Sequence, residues 1–292
     1  MEGVILRGIG GFYYVLDDTG TVHTVRAQGK LRRKGTRPKT GDRCLFAPGT
    51  GDEDGWILEI LPRKNELARP PVANIDLIAV VLAAKTPNPD LLLADRMMLS
   101  AVAAGIPAML IINKSDLDDE RSLAIAEQYA GTGIAVMRVS ASAGIGIEAL
   151  KETLKGKVHA FAGQSGVGKS TLINTLYGLR MATGELSEKI ERGKNTTRHC
   201  ELVPVEDGGM VLDTPGFSLL ETPLIDPADL PSYWPEFSGL NAGCFFSPCF
   251  HATEPKCAVL GAVAEGKINR ERHERYTEVL REMRERWRER YD

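Results

Sequence analysis

The sequence predicts a multidomain protein. Residues 1–66 read as an all-β OB-fold barrel, residues 67–220 as an α/β domain with a doubly wound parallel sheet, and residues 221–292 as a cysteine-containing segment with a long α-helix. Three observations carry this reading. Five short strand-like runs crowd the start of the chain. Near-continuous apolar runs then alternate with helical patterns. Last come three cysteines and a histidine, close together, and after them an amphipathic stripe. A length of 292 residues leaves room for two or three domains.

In the first unit the strand-like runs are Val4–Gly8, Phe12–Asp17, Thr21–Ala27, Arg43–Ala47 and Trp56–Leu61. Gly10-Gly11 and Asp18-Thr19-Gly20 punctuate them as turns. Five short strands suit the five-stranded barrel of an OB-fold. An SH3-like barrel fits the same pattern.

In the second unit Ile75–Ala84 is apolar almost throughout, as in a strand buried on both faces. Asp90–Ala104 reads as a helix and Ala108–Ile112 as a strand. A helix near Asp119–Ala130, a strand Ile134–Val139, a helix near Ile147–Leu154 and a strand Val158–Ala162 follow. Strands alternating with helices indicate a parallel sheet wound on both faces.

The third unit ends in a helix expected over roughly Asn269–Tyr291. Tyr276, Leu280, Met283, Trp287 and Tyr291 recur at spacings of 4, 3, 4 and 4, which makes one apolar stripe.

Composition excludes several classes. Charged residues at 26% and hydrophobic ones at 43% match an ordinary globular chain. A net charge of −3 gives no overall positive field, so nucleic-acid binding has to come from local patches. The start, Met1-Glu2-Gly3-Val4-Ile5-Leu6, lacks the pattern of a signal peptide, and no run approaches the ~20 apolar residues of a membrane helix. The expected setting is cytoplasmic, without membrane contact, where five cysteines indicate metal binding or free thiols over disulfides. Cys44 and Cys200 lie far from the other three and read as small buried residues.

Gly163-Gln164-Ser165-Gly166-Val167-Gly168-Lys169-Ser170, followed by Thr171, fits the P-loop pattern. It follows an apolar strand and opens a helical pattern, which is the context the motif needs. Its glycines let backbone N–H groups wrap phosphates, and the helix N-terminus adds partial positive charge. Lys169 is expected on the β- and γ-phosphates and Ser170 on Mg²⁺. Asp213, after the apolar run Met210–Leu212, is the expected aspartate beside the metal.

Asn113-Lys114-Ser115-Asp116 matches the guanine-reading N-K-x-D, and Ser140-Ala141-Ser142 fits the further base-contacting segment. Asp116 can accept two hydrogen bonds from the N1–H and N2–H₂ edge of guanine, which adenine lacks. Asn113 and Lys114 buttress base and P-loop, and backbone N–H groups of Ser140-Ala141 are expected to reach O6. Both segments precede the P-loop, whereas ordinarily they come after it. Thr196-Thr197 and Asp213-Thr214-Pro215-Gly216 follow it as switch segments. Asn113, Ser140 and Gly163 each fall where an apolar strand ends, the edge at which α/β sheets bind ligands. The order is that of a circularly permuted P-loop GTPase, in which the segment after Gly216 leads straight into the C-terminal unit. Phe217 takes the place of the water-orienting glutamine of Ras-like enzymes, so slow unassisted hydrolysis is expected.

Cys244-x₄-Cys249-x-His251-x₅-Cys257 supplies three thiolates and an imidazole, a donor set that suits one tetrahedral, structural Zn²⁺ per chain. Between Asp18 and Asp42 no acidic residue occurs, while Arg26, Lys30, Arg32, Arg33, Lys34, Arg37 and Lys39 all do. On an OB barrel these are candidate RNA contacts; on any other surface they are a solvated loop. The C-terminal helix mixes nine Lys and Arg with seven acidic residues from Lys267 onward, as helix-surface ion pairs do.

With the permuted motifs and the cysteine pattern together, the chain resembles the ribosome small-subunit-dependent GTPase A family (RsgA, YjeQ, YloQ) over nearly its whole length. The resemblance implies a late assembly factor that binds GTP and GDP, docks on the small ribosomal subunit and its rRNA, hydrolyses GTP under subunit stimulation, and then leaves. A monomer is expected. One position departs. The family usually carries a histidine just before the threonine pair, and here Asn195 stands there. Asn195 could orient water but is no base near neutral pH; His199 is the other candidate, and the catalytic group stays open. Two other readings also stay open: a non-enzymatic RNA-binding scaffold that senses GTP, and a permuted GTPase serving the large subunit.

Overall fold

The computed structural model describes residues 1–33, 35–50, 54–179, 200–213 and 222–290. Its first five strands are β1 Glu2–Ile9, β2 Phe12–Asp17, β3 Val22–Ala27, β4 Arg43–Ala47 and β5 Gly55–Ile60, with the short helix α1 Gly29–Arg33 between β3 and β4. They close in the order β1-β2-β3-β5-β4, and β4 pairs back to β1. This Greek-key circuit is that of the OB-fold and decides against the SH3-like alternative. Alternate residues fill the barrel: Ile5, Val15, Val25, Cys44, Phe46 and Ile57 are all fully buried. Burial pushes the Cys44 thiol up to about 12, so it packs as a small apolar group.

One outer side of the barrel is docked on the α/β domain. Leu6 is buried in that domain's core, and Val4 and Leu16 pack against it. Arg7 donates to both carboxylate oxygens of Glu201, at 3.0 and 3.1 Å, and the Thr40 hydroxyl donates to the carbonyl of Cys200 at 3.1 Å. Cys200 is half-buried, short of the full burial expected, because it lies at this junction.

A two-stranded hairpin, β6 Glu66–Leu67 and β7 Val72–Ala73, leads into the α/β domain. Its elements are β8 Leu77–Ala83, α2 Leu91–Ala103, β9 Ala108–Asn113, α3 Asp119–Gln128, β10 Ala135–Arg138, α4 Ile147–Leu154, β11 Val158–Ala162, α5 Lys169–Tyr177, β12 Glu201–Pro204 and β13 Met210–Asp213. The sheet order is β10-β9-β8-β11-β13-β12, parallel throughout except for β12, which runs against β13. Period-2 alternation sorts β8 between two cores. Ile78, Val80 and Leu82 meet α2 and α3, while Leu77, Ala79, Val81 and Ala83 meet α4 and α5. Asp90 and Asp118 cap α2 and α3, accepting from the N–H of Leu93 and Arg121 at 2.9 and 3.1 Å.

The C-terminal part adds α6 Ala258–Ala264 and α7 Arg270–Glu289. Tyr276, Leu280 and Met283 of the expected stripe are buried; Trp287 is half-buried, and Tyr291 lies outside the described residues. Val279, His273 and Arg272 join the buried face. Arg272 corrects the expectation of a helix whose charges stay solvated. Its guanidinium bonds Asp95 of α2 at 2.5 Å and Glu236 at 2.5 Å, and Arg275 and the Tyr129 hydroxyl also donate to Asp95. Asp95 has no exposed side-chain surface. Removing one partner of such a pair strands a buried charge, which costs about 3–5 kcal/mol. Arg272→Met should therefore free the C-terminal segment from α2, seen as an earlier calorimetric transition and faster proteolysis after Gly266. An unchanged melting profile would refute the assignment. Among the described residues no helix is long and apolar enough to cross a membrane.

Candidate nucleotide site and metal cluster

Three motif segments meet at the carboxyl edge of the parallel sheet, after β9, β10 and β11. β9 ends in Asn113, the Ser140 segment follows β10, and the P-loop joins β11 to α5. Asn113 ties them together. Its amide donates to the carbonyl of Val167 in the P-loop at 2.9 Å, and its Oδ1 accepts from the N–H of Ala141 at 3.2 Å. Two glycines make this approach possible. A Cβ at Gly168 (φ +98°) would lie 2.4 Å from the Asn113 amide nitrogen, and one at Gly163 (φ +146°) would lie 2.3 Å from the carbonyl oxygen of Val81.

Lys114, in the left-handed region at φ 59°, donates to the carbonyls of Thr86 and Gly166 at 2.6 and 2.7 Å. It therefore straps this turn to the P-loop. Ser115 is fixed by its N–H on the carbonyl of Val139 at 3.0 Å, while Asp116 stands exposed beside it. The N–H of Ser140 donates to the carbonyl of Ile145 at 2.9 Å, and that of Ala141 to Asn113 Oδ1. Both residues are buried, and a buried N–H takes the nearest acceptor. Ser142 is exposed, and its hydroxyl lies 3.2 Å from that of Ser140.

In the P-loop, Val167 is buried, Ser165, Gly166 and Thr171 are exposed, and Gln164 and Ser170 are half-buried. The Lys169 ammonium donates to the carbonyls of Gly163 and Gln164 at 2.6 and 2.8 Å, and burial pushes its pKa down to about 8. A charge held there with little water is one that anionic oxygens stabilise strongly. Asp213 ends β13 opposite Glu201 of β12. Burial, and then the Glu201 carboxylate, hold the Asp213 carboxyl above its ordinary value. Thr196, Thr197, Asn195, His199, Gly216 and Phe217 lie outside the described residues, as does Lys34. Glu201 and its partner Arg7 carry no motif. No local signal marks them, because their places depend on β12 pairing with β13 and on the docked barrel.

Cys244, Cys249, His251 and Cys257 converge, with their ligand atoms all within 4.8 Å of one another. The Cys244 and Cys257 sulfurs are 3.9 Å apart, and His251 Nδ1 lies 3.6 and 3.2 Å from them. Tetrahedral bonds of about 2.3 Å to sulfur imply sulfur separations of about 3.8 Å, so this cluster could hold a metal ion. Backbone N–H groups of Ala258 and Leu260, at the start of α6, point at Cys244 and Cys257 Sγ from 3.4 and 3.5 Å. Anionic sulfur is favoured there. His273 Nε2 bonds the His251 carbonyl at 2.7 Å, and the Tyr276 hydroxyl donates to that of Phe250 at 2.7 Å. The cluster is thereby pinned to α7.

Of the candidate RNA contacts, Lys30 and Arg37 are exposed. Arg26 donates to Asp54 at 2.7 Å, and Lys39 donates to Glu66 at 2.9 Å and to the Leu67 carbonyl at 3.1 Å. Arg32 and Arg33 fall in α1.

Residues 60–223 match the family described as RsgA GTPase, and residues 2–57 match the RsgA N-terminal domain. The chain belongs to the RsgA GTPase family. Among RsgA relatives, the Small ribosomal subunit biogenesis GTPase RsgA of Ruminiclostridium cellulolyticum is 44% identical, covering 97% of this chain and 94% of its own. That of Geobacillus kaustophilus is 43% identical over 98% of both chains. Two solved structures agree in fold. YjeQ from Thermotoga maritima superposes with a TM-score of 0.84 at 35% identity, covering 97% of this chain and 98% of that one. YloQ, described as a circularly permuted GTPase, gives 0.80 at 34% identity, covering 98% and 95%. The RsgA architecture thus accounts for both the barrel and the order of the motifs.

Proposed function

We propose that this chain hydrolyses GTP in the biogenesis of the small ribosomal subunit, binding the subunit and its rRNA and leaving after hydrolysis. The observation that supports it most is Asn113, which bonds the P-loop and the Ser140 segment at once and so gathers base and phosphate elements at one sheet edge. The names carried by the RsgA relatives support the cellular role.

In this reading residues 163–171 wrap the phosphates, with Lys169 on the β- and γ-phosphates. Asp116 reads guanine, flanked by Asn113, Lys114, Ser140, Ala141 and Ser142. Ser170 and Asp213, with Thr196, Thr197 and Gly216, hold Mg²⁺, which when bound neutralises charge on the β- and γ-phosphate oxygens. Asn195 or His199 orients the attacking water. Cys244, Cys249, His251 and Cys257 hold one structural zinc. Units 1–66, 67–220 and 221–292 divide the work between RNA, nucleotide and metal, in a cytoplasmic monomer.

Single-turnover GTP hydrolysis with and without small subunits tests this. Stimulation by small but not large subunits is expected; no hydrolysis in either case would leave a GTP-sensing scaffold. Reversing charge at Lys30, Arg32 and Arg33 should weaken subunit binding and flatten its salt dependence by about one counterion for each phosphate no longer neutralised. GTP affinity of the free protein should stay within about twofold, since additivity holds for distant sites. An unaltered subunit affinity and salt slope would refute the RNA role of the barrel.

A further inference from the structure

The outer surface of the barrel has two sides. Val4, Leu6 and Leu16 line the side docked on the α/β core. The side formed by β3, β5 and β4 faces solvent, yet Leu45, Trp56 and Leu58 on it are 36%, 44% and 44% exposed. Clustered exposed apolar side chains of this kind mark an interaction surface.

Strand register adds a second observation. Phe12 stands opposite Arg26 in the β2–β3 pair, and Arg26 stands beside Trp56 in the parallel β3–β5 pair. The three form one row across three strands. The Arg26 guanidinium lies 4.3 Å from the centre of the Phe12 ring, and its Nε donates to Asp54 at 2.7 Å. It is therefore a planar cation held on the Phe12 ring, with Trp56 next along the row. Beyond the end of β3 come exposed Lys30 and Arg37, in the window free of acidic residues.

We propose that the row Phe12, Arg26 and Trp56 is a stacking platform for unpaired RNA bases. The proposal rests on the RNA-binding reading above and names the chemistry recognised. Aromatic planes interleaved with cations are what single strands require: bases stack on rings while phosphates run along the positive flank. Charge complementarity favours a polyanion over an apolar protein surface. A duplex would leave the Trp56 indole without a partner, because its bases are already stacked and its grooves show edges, not faces.

Intrinsic fluorescence of the full-length, metal-replete protein tests it. Of the three tryptophans Trp234 is buried, so in a Trp287→Phe background Trp56 is the exposed reporter. A ten-nucleotide adenylate RNA should quench its emission, and a ten-base-pair RNA duplex should not. Trp56→Ala should weaken binding of the single strand by about 5- to 100-fold at unchanged salt slope, since stacking releases no counterions. Trp56→Phe should keep most of the affinity. The platform is overturned if the duplex quenches equally, if the single strand leaves emission unmoved, or if Trp56→Ala binds it as tightly as the parent. Loss of subunit affinity with single-strand binding intact would assign the face to a ribosomal protein, against the proposal. Failure here with the charge-reversal effect intact removes the stacking platform alone; failure of both removes the RNA role of the barrel.

Discussion

Asp116→Asn should turn the nucleotide site from guanine to xanthine. In the proposed site the carboxylate accepts from N1–H and N2–H₂ of guanine; an amide in its place would meet N2–H₂ with its own N–H₂, donor against donor. Xanthine carries an oxygen at that position, which the new amide can bond. Sites built around paired polar groups reject the analogue that leaves them unpaired, so GTP affinity should fall by on the order of a hundred- to a thousandfold while that for XTP rises. The turn around Asp116 is rigid enough for this. Ser115 is bonded to Val139, Lys114 is strapped to two carbonyls, and Asp118 caps α3. Equilibrium titration with both nucleotides in Mg²⁺ reads the ratio. Asp118→Asn, two residues on, keeps a capping side chain and should leave it unaltered. An unchanged ratio in Asp116→Asn, or an equal change in Asp118→Asn, would sink the assignment.

Loss of one cysteine of the proposed zinc cluster should have a comparably large effect at the other end of the chain. Cys257 belongs to the cluster and also caps α6, with its sulfur accepting from the Leu260 N–H. Structural zinc supplies on the order of 10 kcal/mol to a small domain's fold, because the unfolded ligands do not form a site. Cys257→Ala should reduce zinc from about one per chain to near none. Hydrogen exchange should then speed up across the cysteine loop, α6 and the first turns of α7, where His273 and Tyr276 hold the carbonyls of His251 and Phe250. The barrel and strands β8 to β11 should keep their protection, since their cores contain no residue of the cluster. Freshly purified protein free of zinc, or exchange that rises equally in all three units, would count against the structural role.

Much of the frame around the candidate nucleotide site was legible in local pattern. The helix Ile147–Leu154 and the strand Val158–Ala162 have the bounds read from sequence, and Asn113, Ser140 and Gly163 sit at strand ends as their motifs require. Apolar periodicity and glycine spacing record which face is buried and where the backbone must turn, and both act over a few residues. β12 was not legible. Four residues ending in proline carry little alternation, and their extended form depends on β13 alongside. The hold on the Ala141 N–H was not legible for a similar reason: its acceptor, Asn113, lies 28 residues earlier in the chain.

The sequence by itself determined the three-part fold class, the order of the motifs, the cysteine and histidine pattern and the basic window. Only the tertiary structure decided which charges are free. Arg272 reads as one more solvated helix charge until Asp95, 177 residues away, meets it in the core. Lys39 reads as a cation open to RNA until Glu66, 27 residues on, engages it. Trp56 becomes part of a platform only because β3 and β5 lie side by side. Local periodicity reflects interactions between near neighbours, which any window of sequence contains. Ion pairing and strand adjacency join distant residues, and their energies exist only once the chain has closed around them.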